Sequence, residues 1–281
     1  MPAKESSVSD LVQLQQQNQT LQQELDNIKN QLLPQMRVIL GQLEQLKGER
    51  KNMRALLSSI YLSGSGLELG ALGRPLPTRE NVQVSYVDRL DVPGLRTHYP
   101  ELADMELVDV DIIDDGETLT TVAAGSQDFI IANHFLEHCR NPIGTLETLL
   151  AKLKVRGQDE SPGVLYVAVP DKHQCFDRNR PVTPFEHTLD DYKHGSRDRG
   201  HLDLHHFSEW SHLVEGLEGA EADELTERLV KADYSIHFHV WDLHSFLDFL
   251  LQTARVLGET FEIIQYVQAG DEIIALLGKK A

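Results

Sequence analysis

The sequence predicts an α/β fold. A mainly parallel seven-stranded sheet closes with an antiparallel C-terminal hairpin, and an N-terminal coiled-coil helix precedes it. Three observations predict this. From about residue 64, short apolar runs alternate with helix-length segments. The last two runs are joined by four residues rather than a helix, so they pair antiparallel. Residues 9–33 lack Gly and Pro and carry a heptad stripe. The domains expected are a helical coiled-coil segment over 1–60 and an α/β domain over 61–281.

The stripe runs through Leu11, Leu14, Asn18, Leu21, Leu25, Ile28 and Leu32, in alternating steps of three and four. Asn18 falls at an a position, where a buried amide sets register and favours a parallel dimer. Ser9 or Asp10 offers an N-cap. Pro34 interrupts the pattern or kinks it. A homo-oligomer held through residues 9–33 is the reading, against a helix folded back on its own domain, a frayed tail, or a docking helix for another coiled coil. Three heptads are marginal alone.

The strands follow in order. Gly66–Gly70 reads as a short buried strand ending in glycine, and 82–88 as a β-branched run ending in Asp88. A third run covers 106–111 and a fourth 128–133. A helix is expected over 143–153 and a fifth strand over 163–170. A helix over 241–257 precedes strands at 261–267 and 272–277.

Composition limits the function. Forty-four acidic and 26 basic residues leave a net charge of −18, which repels phosphate backbones and argues against nucleic acid. No apolar run reaches the ~20 residues of a membrane span. Two cysteines make no disulfide framework, and no apolar leader is visible, so a cytoplasmic protein is expected.

The order of pieces over residues 64–280 resembles the class I S-adenosylmethionine-dependent methyltransferases of the type 11 kind, with a Rossmann-like sheet. The segment Phe129-Ile130-Ile131-Ala132-Asn133-His134-Phe135-Leu136-Glu137-His138, then Asn141-Pro142, a helix and Gly163-Val164-Leu165-Tyr166, carries the likeness. With Leu67–Leu72, Tyr86-Val87-Asp88 and Val169-Pro170-Asp171-Lys172 the chain is similar to a subgroup often found beside sugar-transferring enzymes. The resemblance implies S-adenosylmethionine as cofactor and a small-molecule or glycan acceptor.

Cofactor residues are expected where such sheets take ligands, beyond the strand C-termini. The family pattern acid-x-Gly-x-Gly-x-Gly reads here Glu68-Leu69-Gly70-Ala71-Leu72-Gly73. Glu68 and Gly70 match; Leu72 replaces the second glycine and Gly73 is out of step. Asp88 is placed to accept from the ribose hydroxyls, with Asp91 as its neighbour. Asp111 and Ile112 are placed against the adenine. Asn133 and His134 follow the fourth strand and face the methyl donor.

Residues 171–235 form an insertion read as a cap. Nine of the 13 histidines lie between 173 and 239. Asp171, His173 and His201 are the catalytic candidates, with histidine suited to take a hydroxyl proton near neutral pH. A metal reading rests on the pairs His201/His205 and His237/His239; neither sits in a known ligand motif, so no metal ligand is assigned. The expected function is methyl transfer to an oxygen, or less favourably a nitrogen, of a small polar metabolite or glycan. A catalytically silent scaffold and a metal-dependent enzyme are the rivals.

Overall fold

The computed structural model describes residues 20, 21, 23, 34, 38, 41, 42, 44–155, 162–194 and 200–280, with backbone alone at 200–203. The chain divides into two units, residues 1–48 and 49–281. In the first, the described residues are helical. Of the heptad stripe only Leu21 is among them, and it is 61% exposed. Leu11, Leu14, Asn18, Leu25, Ile28 and Leu32 lie outside the described residues, and with them the oligomerisation reading for 9–33.

The second unit begins with helix α1 (49–61). Leu57 and the following Leu62 are buried against Phe129, Ile131 and Tyr166 of the sheet. α1 packs with the core of this unit, its apolar face covering one side of the sheet.

The strands are β1 (Ser65–Leu69), β2 (Gln83–Asp88), β3 (Ile112–Ile113), β4 (Phe129–Asn133), β5 (Val164–Pro170), β6 (Phe261–Ala269) and β7 (Glu272–Lys279). They lie in the order β3-β2-β1-β4-β5-β7-β6. The first five are parallel; β7 runs antiparallel between β5 and β6. This is the expected Rossmann-like sheet. The chain leaves β1 toward β2 and returns on the far side at β4, so a crevice opens between the ends of β1 and β4.

Burial explains the central strands. All seven residues of β5 are buried, as a parallel strand covered on both faces requires. One face packs Leu67, Ile130 and Leu165 against α3 (Pro142–Lys152) and α7 (Leu243–Val256), through Leu146, Leu150, Phe246 and Leu250. Asn141 and Asp242 cap these two helices, so side-chain oxygens take otherwise orphaned amides.

The third strand departs from expectation. Residues 106–111 are irregular, and the strand is Ile112–Ile113. Val108 donates to the Leu72 carbonyl, and Asp111 Oδ2 accepts from the Tyr86 amide. Asp111 donates its own amide to the Tyr86 carbonyl of β2, but Val108 turns to the loop after β1 and the Asp111 side chain takes the Tyr86 amide, so the ladder is confined to Ile112–Ile113.

The insertion is helical. Two 3-10 turns (Lys172–Gln174, Phe176–Asn179) lead to α4 (Phe185–His194), α5 (Gly200–Leu213) and α6 (Gly219–Ala232). A short helix α2 (Val92–His98) follows β2. Residues 236–241 alternate polar and apolar but form no strand, and every side chain in the run is buried. Phe238 and His239 both donate backbone amides to the Glu137 carbonyl.

Candidate functional site

A cavity of about 470 Å³ opens beyond the C-terminal ends of β1, β2 and β4. Gly70, Asp88 and His134 reach it from the three strands. Tyr99, Arg140, Tyr234 and Phe238 close it from α2, the β4–α3 loop and the cap.

Gly70 turns the chain at φ +60°, and no atom lies within 4 Å of where a Cβ would stand. The turn thus leaves open space beside the backbone. Leu72 also has a positive φ, +50°, a conformation that usually takes glycine, and it lines the cavity. Gly73 does other work. A Cβ there would meet the Glu106 carbonyl at 2.6 Å, so it permits close packing of the 105–106 loop.

Asp88 ends β2 at the cavity edge. Its Oδ1 accepts from the Arg89 amide at 2.7 Å, and burial pushes its carboxyl above the usual aspartate value. The adjacent Arg89 guanidinium donates to Tyr99 Oη at 2.6 Å, fixing one wall.

His134, at φ +49°, is the hub of the β4 end. Its Nε2 lies 2.8 Å from Glu272 Oε2 and its Nδ1 3.4 Å from Glu137 Oε1. Burial alone would lower its pKa, but the two glutamates outweigh burial and raise it to about 9. The imidazole is therefore a cation bridging two buried acids. Glu272 is shared with Arg54 of α1, with Nε to Oε1 at 2.7 Å. His138 also lines the cavity, its Nδ1 2.9 Å from the Ile236 carbonyl; burial lowers its pKa to about 4, so it is neutral.

The other candidates are placed elsewhere. Glu68 is buried beneath the sheet, with both oxygens accepting from the Leu76 amide; burial raises its pKa to about 7. It shapes the turn after β1 and does not line the cavity. Asp111 is exposed and faces a separate hollow with Tyr86 and Asp109, and Ile112 packs against the core. The acids that line the cavity from this region are Asp115 and Glu117. Asn133 is not on the wall, and its amide atoms are buried without hydrogen-bond partners. Asp171 is buried and accepts from Gln268 Nε2 at 2.7 Å and from the His173 amide at 3.0 Å. His173 is 60% exposed and 3.8 Å from Asp242. Neither lines the cavity. His201 starts α5, and its side chain lies outside the described residues.

The His237/His239 pair separates, and of the His201/His205 pair only His205 has a described side chain. His205 is 66% exposed beside Glu209. His237 Nδ1 pairs with Asp177 Oδ2 at 2.6 Å, while His239 Nε2 faces Asp191 Oδ2 at 4.0 Å. Asp177 also binds the buried Arg180, which donates to Glu209 and to the His237 carbonyl. Among the described residues, ligand-type side chains gather in two groups, Glu137/His138/His237 and His187/Asp191/His239.

Arg54, Tyr99, Arg140, Tyr234 and Glu272 were not singled out from the sequence. Glu272 carried a signal, an acid opening the strongly apolar run Ile273–Leu277. The others reach the site across long chain separations that no local pattern records.

No family model matches the chain, and no curated protein matches it. Solved structures do. The N-methyltransferase NodS from Bradyrhizobium japonicum is 11% identical over 84% of this chain and 98% of its own, with a TM-score of 0.42. A SAM-dependent methyltransferase from Methanosarcina mazei is 12% identical over 79% and 95%, at 0.39. A Rhodobacter sphaeroides protein described as a zinc-dependent alcohol dehydrogenase is 12% identical over 83% and 90%, at 0.44. At such identities and scores the likeness carries no argument about activity.

Proposed function

We propose that the chain transfers a methyl group from S-adenosylmethionine to an oxygen, or less favourably a nitrogen, of a small polar or glycan acceptor. One observation carries the reading. The open turn at Gly70 and the Asp88 carboxylate, picked out separately from the sequence, face one cavity at the switch point of the sheet. Its volume, about 470 Å³, is within the range of small-molecule sites.

The residues present fit the cofactor. Asp88 is held by the Arg89 and Leu90 amides and is already partly desolvated, so its carboxylate is oriented to accept from paired ribose hydroxyls. Gly70 lets the amino-acid end approach backbone. When bound, S-adenosylmethionine supplies an electrophilic methyl group on a cationic sulfur. His134 has both ring nitrogens engaged with glutamates, so it shapes the wall as a fixed cation. His138 is the candidate proton acceptor in place of Asp171 and His173. With Nδ1–H donated to the Ile236 carbonyl, Nε2 keeps its lone pair on a neutral ring. Most of the rate would come from positioning, with a modest proton-transfer contribution.

Leu72 favours the rival of a silent domain, since its side chain lines the wall where the family has glycine. Calorimetry and thermal shift with S-adenosylmethionine and S-adenosylhomocysteine decide. Binding heat and a raised Tm are expected for both. No heat and no shift for either overturns the reading.

A further inference from the structure

We propose that His187, Asp191, His206 and His239 form a divalent transition-metal site, zinc by preference, buried inside the cap. The proposal is independent of the methyl-transfer reading.

His187 and Asp191 stand one turn apart on α4, so both project from the same helix face. His206 comes from α5 and His239 from the 236–241 segment. One ligand atom each from His187, Asp191 and His239 lie within 4.8 Å of one another. His187 Nε2 is 3.3 Å from Asp191 Oδ2 and 3.2 Å from His206 Nε2. Tetrahedral zinc with bonds of about 2.1 Å sets its ligand atoms roughly 3.4 Å apart. The 4.0 Å between His239 Nε2 and Asp191 Oδ2 needs only a small contraction.

The surroundings are those of a site. His239 is 1% exposed, Asp191 4% and His206 8%. His239 Nε2 has no hydrogen-bond partner, an arrangement that costs free energy in a buried group unless something accepts its lone pair. A hydrogen bond between His187 and His206 satisfies one pair of nitrogens but leaves His239 unanswered. Three imidazoles and a carboxylate are borderline ligands suited to zinc, cobalt or nickel rather than calcium or magnesium.

His187, Asp191 and His239 converge as they stand, and His206, held 3.2 Å from His187, would complete a closed tetrahedral shell on a small shift, so the ion would be structural. It would join α4, α5 and the 236–241 segment. That segment contributes Phe238 to the cavity wall and holds the Glu137 carbonyl, so the ion would brace the roof of the cavity.

The full chain, purified without a histidine tag, is analysed by elemental mass spectrometry. About one equivalent of zinc or a like metal is expected. Chelator treatment lowers Tm and added Zn2+ restores it. Apo protein titrated with Co2+ shows the intense visible bands of a tetrahedral site. His239→Ala and His187→Asn each lose the metal at least tenfold, while His244→Ala, at an exposed position, retains it. If His239→Ala fails to fold, the wild-type Co2+ spectrum and His187→Asn decide. Wild-type protein with under a tenth of an equivalent, no Co2+ spectrum and no Tm response to Zn2+ overturns the site. So does metal retained undiminished by His187→Asn.

Discussion

Arg54 of α1 grips Glu272, the first residue of β7, through two hydrogen bonds: Nε to Oε1 at 2.7 Å and Nη2 to Oε2 at 2.5 Å. The Glu272 side chain is wholly inaccessible and that of Arg54 is 12% exposed. The same carboxylate takes His134 from the end of β4. One acid thus joins an N-terminal helix, a C-terminal strand and the wall of the cavity.

Breaking that pair leaves the buried Glu272 carboxylate with His134 and without its bidentate guanidinium. Arg54→Ala should cost about 3–5 kcal/mol of unfolding free energy. Arg54→Leu should cost nearly as much, since packing alone cannot answer the carboxylate. Urea unfolding measures both; a loss below about 1 kcal/mol would show that His134 alone suffices for Glu272.

Stability should fall toward alkaline pH. The folded-state pKa of His134 is raised from 6.5 to about 9, so its contribution is complete below pH 6.5 and disappears as pH rises through 9. Glu68 is raised from 4.5 to about 7 by burial, so its contribution is complete below pH 4.5 and is lost as pH rises through 7. Glu137 and Glu272 act oppositely: despite burial, His134 holds both below 4.5, so their contributions are lost only in acid. Urea unfolding from pH 7 to 9.5 should show the decline; below pH 6.5 the buried neutral His138, lowered to about 4, adds stability as pH rises and opposes Glu68. Compared with wild type, Glu68→Gln should lose the falling contribution between pH 5 and 7, and His134→Gln should flatten the decline between pH 7 and 9. An unchanged profile in both variants refutes the assignment.

The two glycines of the first turn should separate on mutation. Gly70→Ala meets open space, so its cost is the left-handed backbone alone, about 1–2 kcal/mol. Gly73→Ala forces a Cβ onto the Glu106 carbonyl and should cost more, about 2–3 kcal/mol or a loss of soluble protein. Thermal unfolding of the pair gives the order. Gly70→Ala should also weaken S-adenosylhomocysteine binding while the fold persists.

Asp88→Ala should reduce affinity for S-adenosylmethionine about tenfold or more, as expected for two lost charge-assisted hydrogen bonds. Circular dichroism should be unchanged, because the carboxylate's amide partners are its immediate neighbours Arg89 and Leu90. Calorimetry that finds equal affinity removes Asp88 from the ligand site.

Much of the architecture was readable because its signals are local. Period-two and continuous apolar runs mark strands, and a four-residue connection marks the terminal hairpin, so six of the seven strands fall where expected. Asp88, Gly70 and His134 were legible for the same reason, since each directly ends or follows a strand. The third strand was not legible. Residues 106–111 have the composition of a strand, but Val108 bonds to the Leu72 carbonyl outside the sheet and the Asp111 carboxylate takes the Tyr86 amide.

By itself, the amino-acid order determined an alternating α/β domain, its crevice, and three residues at that crevice, because strand ends point to one rim wherever parallel strands pair. Only the tertiary structure decided which polar groups meet. Arg54 and Glu272 are 218 residues apart, and His187 of α4 meets His239 with α5 and α6 between them in the chain. Such encounters are set by helix packing and by the need of each buried charge for a partner, and neither leaves a periodic trace in the chain.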